Sequence, residues 1–149
     1  MNEFIDREQQ IKEKSFFLMV PLFAAAGLLW AVMYYYFGAK ASSLIPGSYS
    51  VISFLSLLIF RLHKNFPVFR NIQLILILLL PFLLHLSLGD FISSSAVILW
   101  STLCPLGALA FHNTKAATYW FFLFMVVVIA AFFLENKIFP VETKLQTGL

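Results

Sequence analysis

An all-α fold, a polytopic membrane bundle of five transmembrane helices, is what this sequence predicts, and three observations predict it. First, Asn71 to Phe111 reads as two apolar runs, Ile72–Leu88 and Phe91–Phe111, that carry no charge and are parted only by Leu88-Gly89-Asp90. Each run approaches the roughly 20 residues a helix needs to cross about 30 Å of hydrocarbon. A short polar turn between two such runs makes a membrane hairpin, because backbone groups in lipid must be satisfied within their own helix. Second, 61% of the 149 residues are hydrophobic and 11% charged, and phenylalanine alone occurs 18 times. A soluble domain runs nearer 25% charged and has no means of hiding that much apolar surface, so lipid is the solvent for most of it. Third, further apolar runs lie on both sides of the hairpin, each bounded by polar or aromatic residues.

Taken in order, residues 1–14 form a polar leader of helix-forming residues with both signs of charge, expected to run as a helix in water or at the headgroups into the first span. That span covers 15–37. Pro21 falls near its start, where a missing N–H costs little, and Gly27 permits a close helix neighbour. Trp30 and Tyr34-Tyr35-Tyr36 stand towards its far end, where amphipathic rings favour the interface. Gly38 to Gly47, closing on Pro46-Gly47, reads as a loop. The second span is the shortest, Ser48 to Phe60, extended to 44–60 if Arg61 and Lys64 reach back to the headgroups. Within it Ser50, Ser53 and Ser56 recur every third residue, a small and weakly polar stripe suited to helix packing, including packing between two copies.

Arg61 to Arg70 is the most basic loop. Spans at 72–88 and 91–111 follow, with Pro81 kinking the third helix, Asp90 capping the fourth, and Pro105-Leu106-Gly107 bending it. His112 to Lys115 is a turn, 118–134 is the fifth span with an aromatic entry, and 135–149 is a polar tail. Counting lysine and arginine, the side of the N-terminus carries seven and the opposite side three. The positive-inside rule then places the N-terminus in the cytoplasm and the chain in a plasma (inner) membrane.

Candidate chemistry is sparse. The net charge of +3 is scattered as topology determinants and is no nucleic-acid signal; single Cys104 forms no internal disulfide. Of three histidines, His63 and His112 share a depth at the cytoplasmic side but lie outside the spans, so a haem between them is not expected. His85 lies inside a span and is the one intramembrane residue singled out as functional; its bland alternative is a neutral imidazole bonded to a neighbouring helix. No phosphate loop, metal-ligand spacing or nucleophile–base pair is visible, so no cofactor and no catalytic residue is expected.

The stretch FRNIQLILILLLPFLLHLSLGDFISSSAVILWSTLCPLGALAF from Phe69, with GLLWAVMYYYFG and IPGSYSVISFLSLLIF before it, resembles the N-terminal membrane domain of bacterial class III adenylate/guanylate cyclases. Trp100 followed by Pro105-Leu106-Gly107-Ala108-Leu109 belongs to that likeness, which extends from about Phe16 to Leu134. The resemblance implies a membrane anchor and sensory module that dimerises above a cytoplasmic catalytic domain and takes a lipophilic ligand between its helices. The chain departs from the family in having five spans where six are usual and no catalytic domain, and neither Asp6 nor Asp90 matches a cyclase metal site. The reading frame is therefore expected to continue through a sixth span into a cyclase domain. The other readings are a free-standing small membrane protein, such as a transporter subunit, and the input domain of a membrane histidine kinase.

Overall fold

The computed structural model describes residues 2–89, 94 and 96–138. Five helices run up and down: α1 (Asn2–Tyr36), α2 (Lys40–His63), α3 (Phe66–Leu88), a 3₁₀ segment (Val97–Thr102) continuing into α4 (Leu103–Phe111), and α5 (Thr114–Ile138). All regular structure among the described residues is helical, as hydrocarbon requires of backbone that cannot bond to water. Four helices are long and apolar enough to cross a membrane, and Val97–Phe111 is a shorter apolar helix.

Several boundaries differ from those the sequence predicts, each for a local reason. The leader does run as a helix into the first span, as expected, but because α1 is continuous from Asn2, Pro21 lies in its interior and not near a helix start. There it removes a bond to the carbonyl one turn back. The Gly38–Gly47 loop shrinks to a few residues, because α2 starts at Lys40 and contains Pro46 in its second turn. Pro46 is fully buried, and Gly47 faces Ala31 of α1, so packing against α1 overrides the Pro-Gly turn signal. The basic Arg61–Arg70 loop is mostly helix. Lys64 takes a left-handed conformation to end α2, then Asn65 caps α3 by accepting from Val68 N–H with Pro67 in the first turn. That capping pattern outweighs the charge pattern, and it puts Arg70 inside α3.

Among the described residues of the fourth span, expected over 91–111, regular helix is seen from Val97 to Phe111. Ala96 just before it has φ of 54°, outside the helical region, and the Ser94 hydroxyl is engaged with His85. The change from 3₁₀ to α-helix falls at Leu103, placing Pro105 in the first α-turn, where it has no helical bond to lose. At about 2 Å and 1.5 Å per residue the two segments reach about 25 Å. They nonetheless traverse the bundle: Ser94 meets His85, Ser101 meets Leu78, and Phe111 meets Arg70, stepping down α3 from one end to the other. The expected Asp90 cap, and the tail from 139 to 149, lie outside the described residues.

Antiparallel pairing of α2 and α3 is equally regular, through Ser42 with Ser87, Ser56 with Gln73, and Phe60 stacked on Phe69 at 4.7 Å. One apolar cluster joins Leu74, Leu78, Cys104, Ala108, Ala117 and Phe124 across α3, α4 and α5, and fully buried Cys104 serves there as a small packing residue. A second joins Phe16, Val20, Leu57, Phe66 and Phe69 across α1, α2 and α3.

Candidate functional site

The interior of this bundle is marked by polar side chains. In lipid, apolar faces cannot tell inside from outside, so small and polar residues decide which face packs. α2 turns its serines inward towards both neighbours. Ser50, fully buried, donates to the Ala24 carbonyl of α1 at 2.7 Å and back to Pro46 O at 3.0 Å. Ser53 donates to Gln73 Oε1 at 3.3 Å, Gln73 Nε2 donates to Ser56 Oγ at 2.7 Å, and Ser56 donates to the Ser53 carbonyl at 2.8 Å. The stripe Ser50, Ser53 and Ser56 is thus occupied within one chain, and a second copy would have to use another surface.

Gln73 is the residue sequence reasoning missed. It is 0% exposed and ties α3 to α2 through two serines. The signal was present: Gln73 is the one amide side chain in the uncharged run Ile72–Leu88, and a polar group inside a span needs a partner.

His85 is buried near the other end of α3, and its Nδ1 shares a 2.8 Å hydrogen bond with the Ser94 hydroxyl. The ring thereby ties Ser94 to α3. Nearby, the Ser42 and Ser87 hydroxyls are 2.7 Å apart, and Ser101 donates to the Leu78 carbonyl at 3.1 Å. The structure does not bring His85 together with Ser50, Ser53 and Ser56; they belong to different levels of the bundle. His63 is exposed at the end of α2, and no group of three or more His, Cys, Asp or Glu side chains that would hold a metal occurs among the described residues.

α1 packs on α2 through Gly27 and on α3 and α4 through Phe16, and between these contacts it leaves open space. A cavity of about 280 Å³ lies between α1 and the Pro81 region of α3, with Gly27 and Trp30 on one wall and Ile77, Pro81 and Trp100 on the other. Trp30 and Trp100 meet edge to face at 5.9 Å beside it. A second cavity of about 180 Å³ shares Phe23, Ile77 and Leu103 with the first and extends past Gln73 to Phe16 and Phe111. The combined crevice is almost wholly apolar, approaching the size at which pockets hold small ligands.

At the Phe16 end stands Arg70, 8% exposed, its guanidinium over the Phe66 ring at 5.5 Å and Nη1 donating to the Phe111 carbonyl at 3.3 Å. A cation there complements the carbonyl end of α4. His112 follows Phe111 directly. Burial holds its pKa below the usual histidine range and the Arg70 charge pushes the same way, against a hydrogen bond with Asn113.

The fold and this interior define a class, a polytopic α-helical membrane protein with a polar-stapled core. Comparison with protein-family models, curated proteins and solved structures found no match for the chain.

Proposed function

We propose that this chain is a membrane-anchoring and sensory module of the kind that precedes a nucleotide cyclase domain, working as a homodimer in the plasma membrane with its N-terminus in the cytoplasm. One observation carries the reading: a bundle in which α2 and α3 are stapled together while α1 borders open cavities along part of its length. α2 and α3 are joined by the Gln73 hydrogen bonds, while α1 packs on α2 but borders two cavities against α3 and α4. α1 also extends without a break from the polar leader into the bundle, so a shift inside the membrane is felt in the leader. A lipophilic ligand entering the crevice would change how α1 sits, and a bistable helix packing is a recurrent means of transmitting a signal. In this reading the chain itself performs no catalytic step. The resemblance of Phe16–Leu134 to cyclase membrane domains supplies the output.

The test is a chimera in which residues 1–134 replace the first five spans of a six-span bacterial class III cyclase, whose own sixth span and catalytic domain are kept. The expected result is a membrane-inserted protein that makes cyclic nucleotide. A chimera that inserts and folds but is inactive, together with solute flux through liposomes carrying the chain alone, would refute the input-module reading in favour of a transporter.

A further inference from the structure

The Arg70 end of the crevice holds two polar atoms that the protein leaves unanswered. Arg70 Nε and His112 Nδ1 are both buried and have no hydrogen-bond partner among the described residues. Nε always carries a proton and can only donate. Arg70 is more than nine-tenths buried, its one hydrogen bond runs through Nη1, and no described carboxylate lies within ion-pair distance of it. Glu8 is taken by Lys12. A guanidinium so placed has no carboxylate partner among the described residues and one buried N–H left to donate, and it attracts an anion. Its neighbourhood repeats the selection: Arg61, Lys64 and Lys115 lie at the same end of the bundle, and Arg61 sits over the Phe17 ring at 5.3 Å.

The apolar half of a ligand is equally specified. Arg70, Gln73, Leu74, Ile77 and Pro81 fall at helical spacing on one face of α3, and the last four line the two cavities. The crevice follows α3 from Gln73 to Pro81, roughly 12 Å at 1.5 Å per residue, and Arg70 stands one turn beyond its end. Its rim, with Met19 and Leu106 exposed, opens sideways to lipid. A ligand with an anionic oxygen at one end and a hydrocarbon chain at the other matches both parts.

We infer that this is a binding site for an anionic phospholipid, whose phosphate oxygen accepts from Arg70 Nε–H and lies against His112 Nδ1 while one acyl chain occupies the crevice between α1, α3 and α4. The site stands whether or not the bundle feeds a cyclase. With the N-terminus in the cytoplasm it opens to the leaflet whose negative surface potential is drawn to basic residues.

The experiment uses the full chain in phosphatidylcholine nanodiscs, with brominated phosphatidylglycerol or brominated phosphatidylcholine titrated in and tryptophan quenching read, since Trp30 and Trp100 border the crevice. Wild type should prefer phosphatidylglycerol by roughly fivefold, the worth of about one basic contact near the surface. Arg70→Gln and His112→Ala should each bring that preference close to one, with His112→Ala decisive should Arg70→Gln fail to fold. Ala110→Leu narrows the crevice from its exposed rim and should lower quenching by both lipids, whereas Lys40→Gln, at the opposite end of the bundle, should leave the preference in place. A preference that survives both Arg70→Gln and His112→Ala overturns the site. Displacement of phosphatidylglycerol by millimolar inorganic phosphate overturns the lipid assignment, because the anchor would then be a free-phosphate site.

Discussion

Replacing Gly27 by alanine tests the seam on which α1 depends. A methyl group there would stand 2.6 Å from Ser50 Oγ, 3.0 Å from Tyr49 Cδ1 and 3.2 Å from the Pro46 carbonyl. The carbonyl is backbone and cannot step aside. Ser50 is too short to bend away and is already committed to Ala24 O and Pro46 O. Two responses are open. The serine can rotate and forfeit its bond to α1, worth about 0.6 and at most about 1.7 kcal/mol in membranes. Otherwise the helices separate by about 0.8 Å to reach ordinary contact, and overpacking of this kind costs about 1–3 kcal/mol. Against this, alanine is a better helix former than glycine by about 0.8–1 kcal/mol. The balance, if the helices separate, lies between about zero and a net loss of about 2 kcal/mol, from the same estimates. Reversible unfolding in mixed micelles, followed by helicity, measures it. Adding Ser50→Ala removes the 2.6 Å contact, so Gly27→Ala should cost less in that background, by at least about 0.5 kcal/mol. If Gly27→Ala stabilises by the full helix propensity of about 0.8–1 kcal/mol, or the two changes are additive, the close α1–α2 seam is wrong.

Two further outcomes are expected. A double-mutant cycle with Gln73→Leu and Ser56→Ala should give a coupling of about 0.6–1.7 kcal/mol, since Nε2 and Oγ are 2.7 Å apart; zero coupling would remove the amide from the α2–α3 interface. Alkaline phosphatase fused after Asn65 should be inactive and after Gly89 active, following the seven-to-three distribution of basic residues; the reverse pattern would invert the orientation.

Much of the architecture was legible because hydrocarbon leaves the backbone one economical answer. Uncharged runs of about 20 residues become helices, and polar turns between them set the number of traverses. The places where the reading strayed were contests between local signals. Pro46-Gly47 reads as a turn yet lies in α2, and the charges of Arg61–Arg70 obscured the Asn65-Phe66-Pro67 cap that starts α3. Within the fourth run Ala96, with φ of 54°, stands outside the helix that begins at Val97.

The sequence by itself determined that this protein is helical, that it lives in lipid, and that Gly27 and the Ser50–Ser53–Ser56 stripe allow close packing. Only the tertiary structure decided what they pack against: Gly27 against Ser50, and Ser53 and Ser56 against Gln73. It also decided that Arg70 and His112, which are distant in sequence, stand at one end of a crevice. The physical reason is that helix periodicity names a face but not its neighbour. In water the apolar face is the one that packs; in lipid every face is apolar, and the partner is set by shape and by where a few hydroxyls, amides and charges find each other across helices.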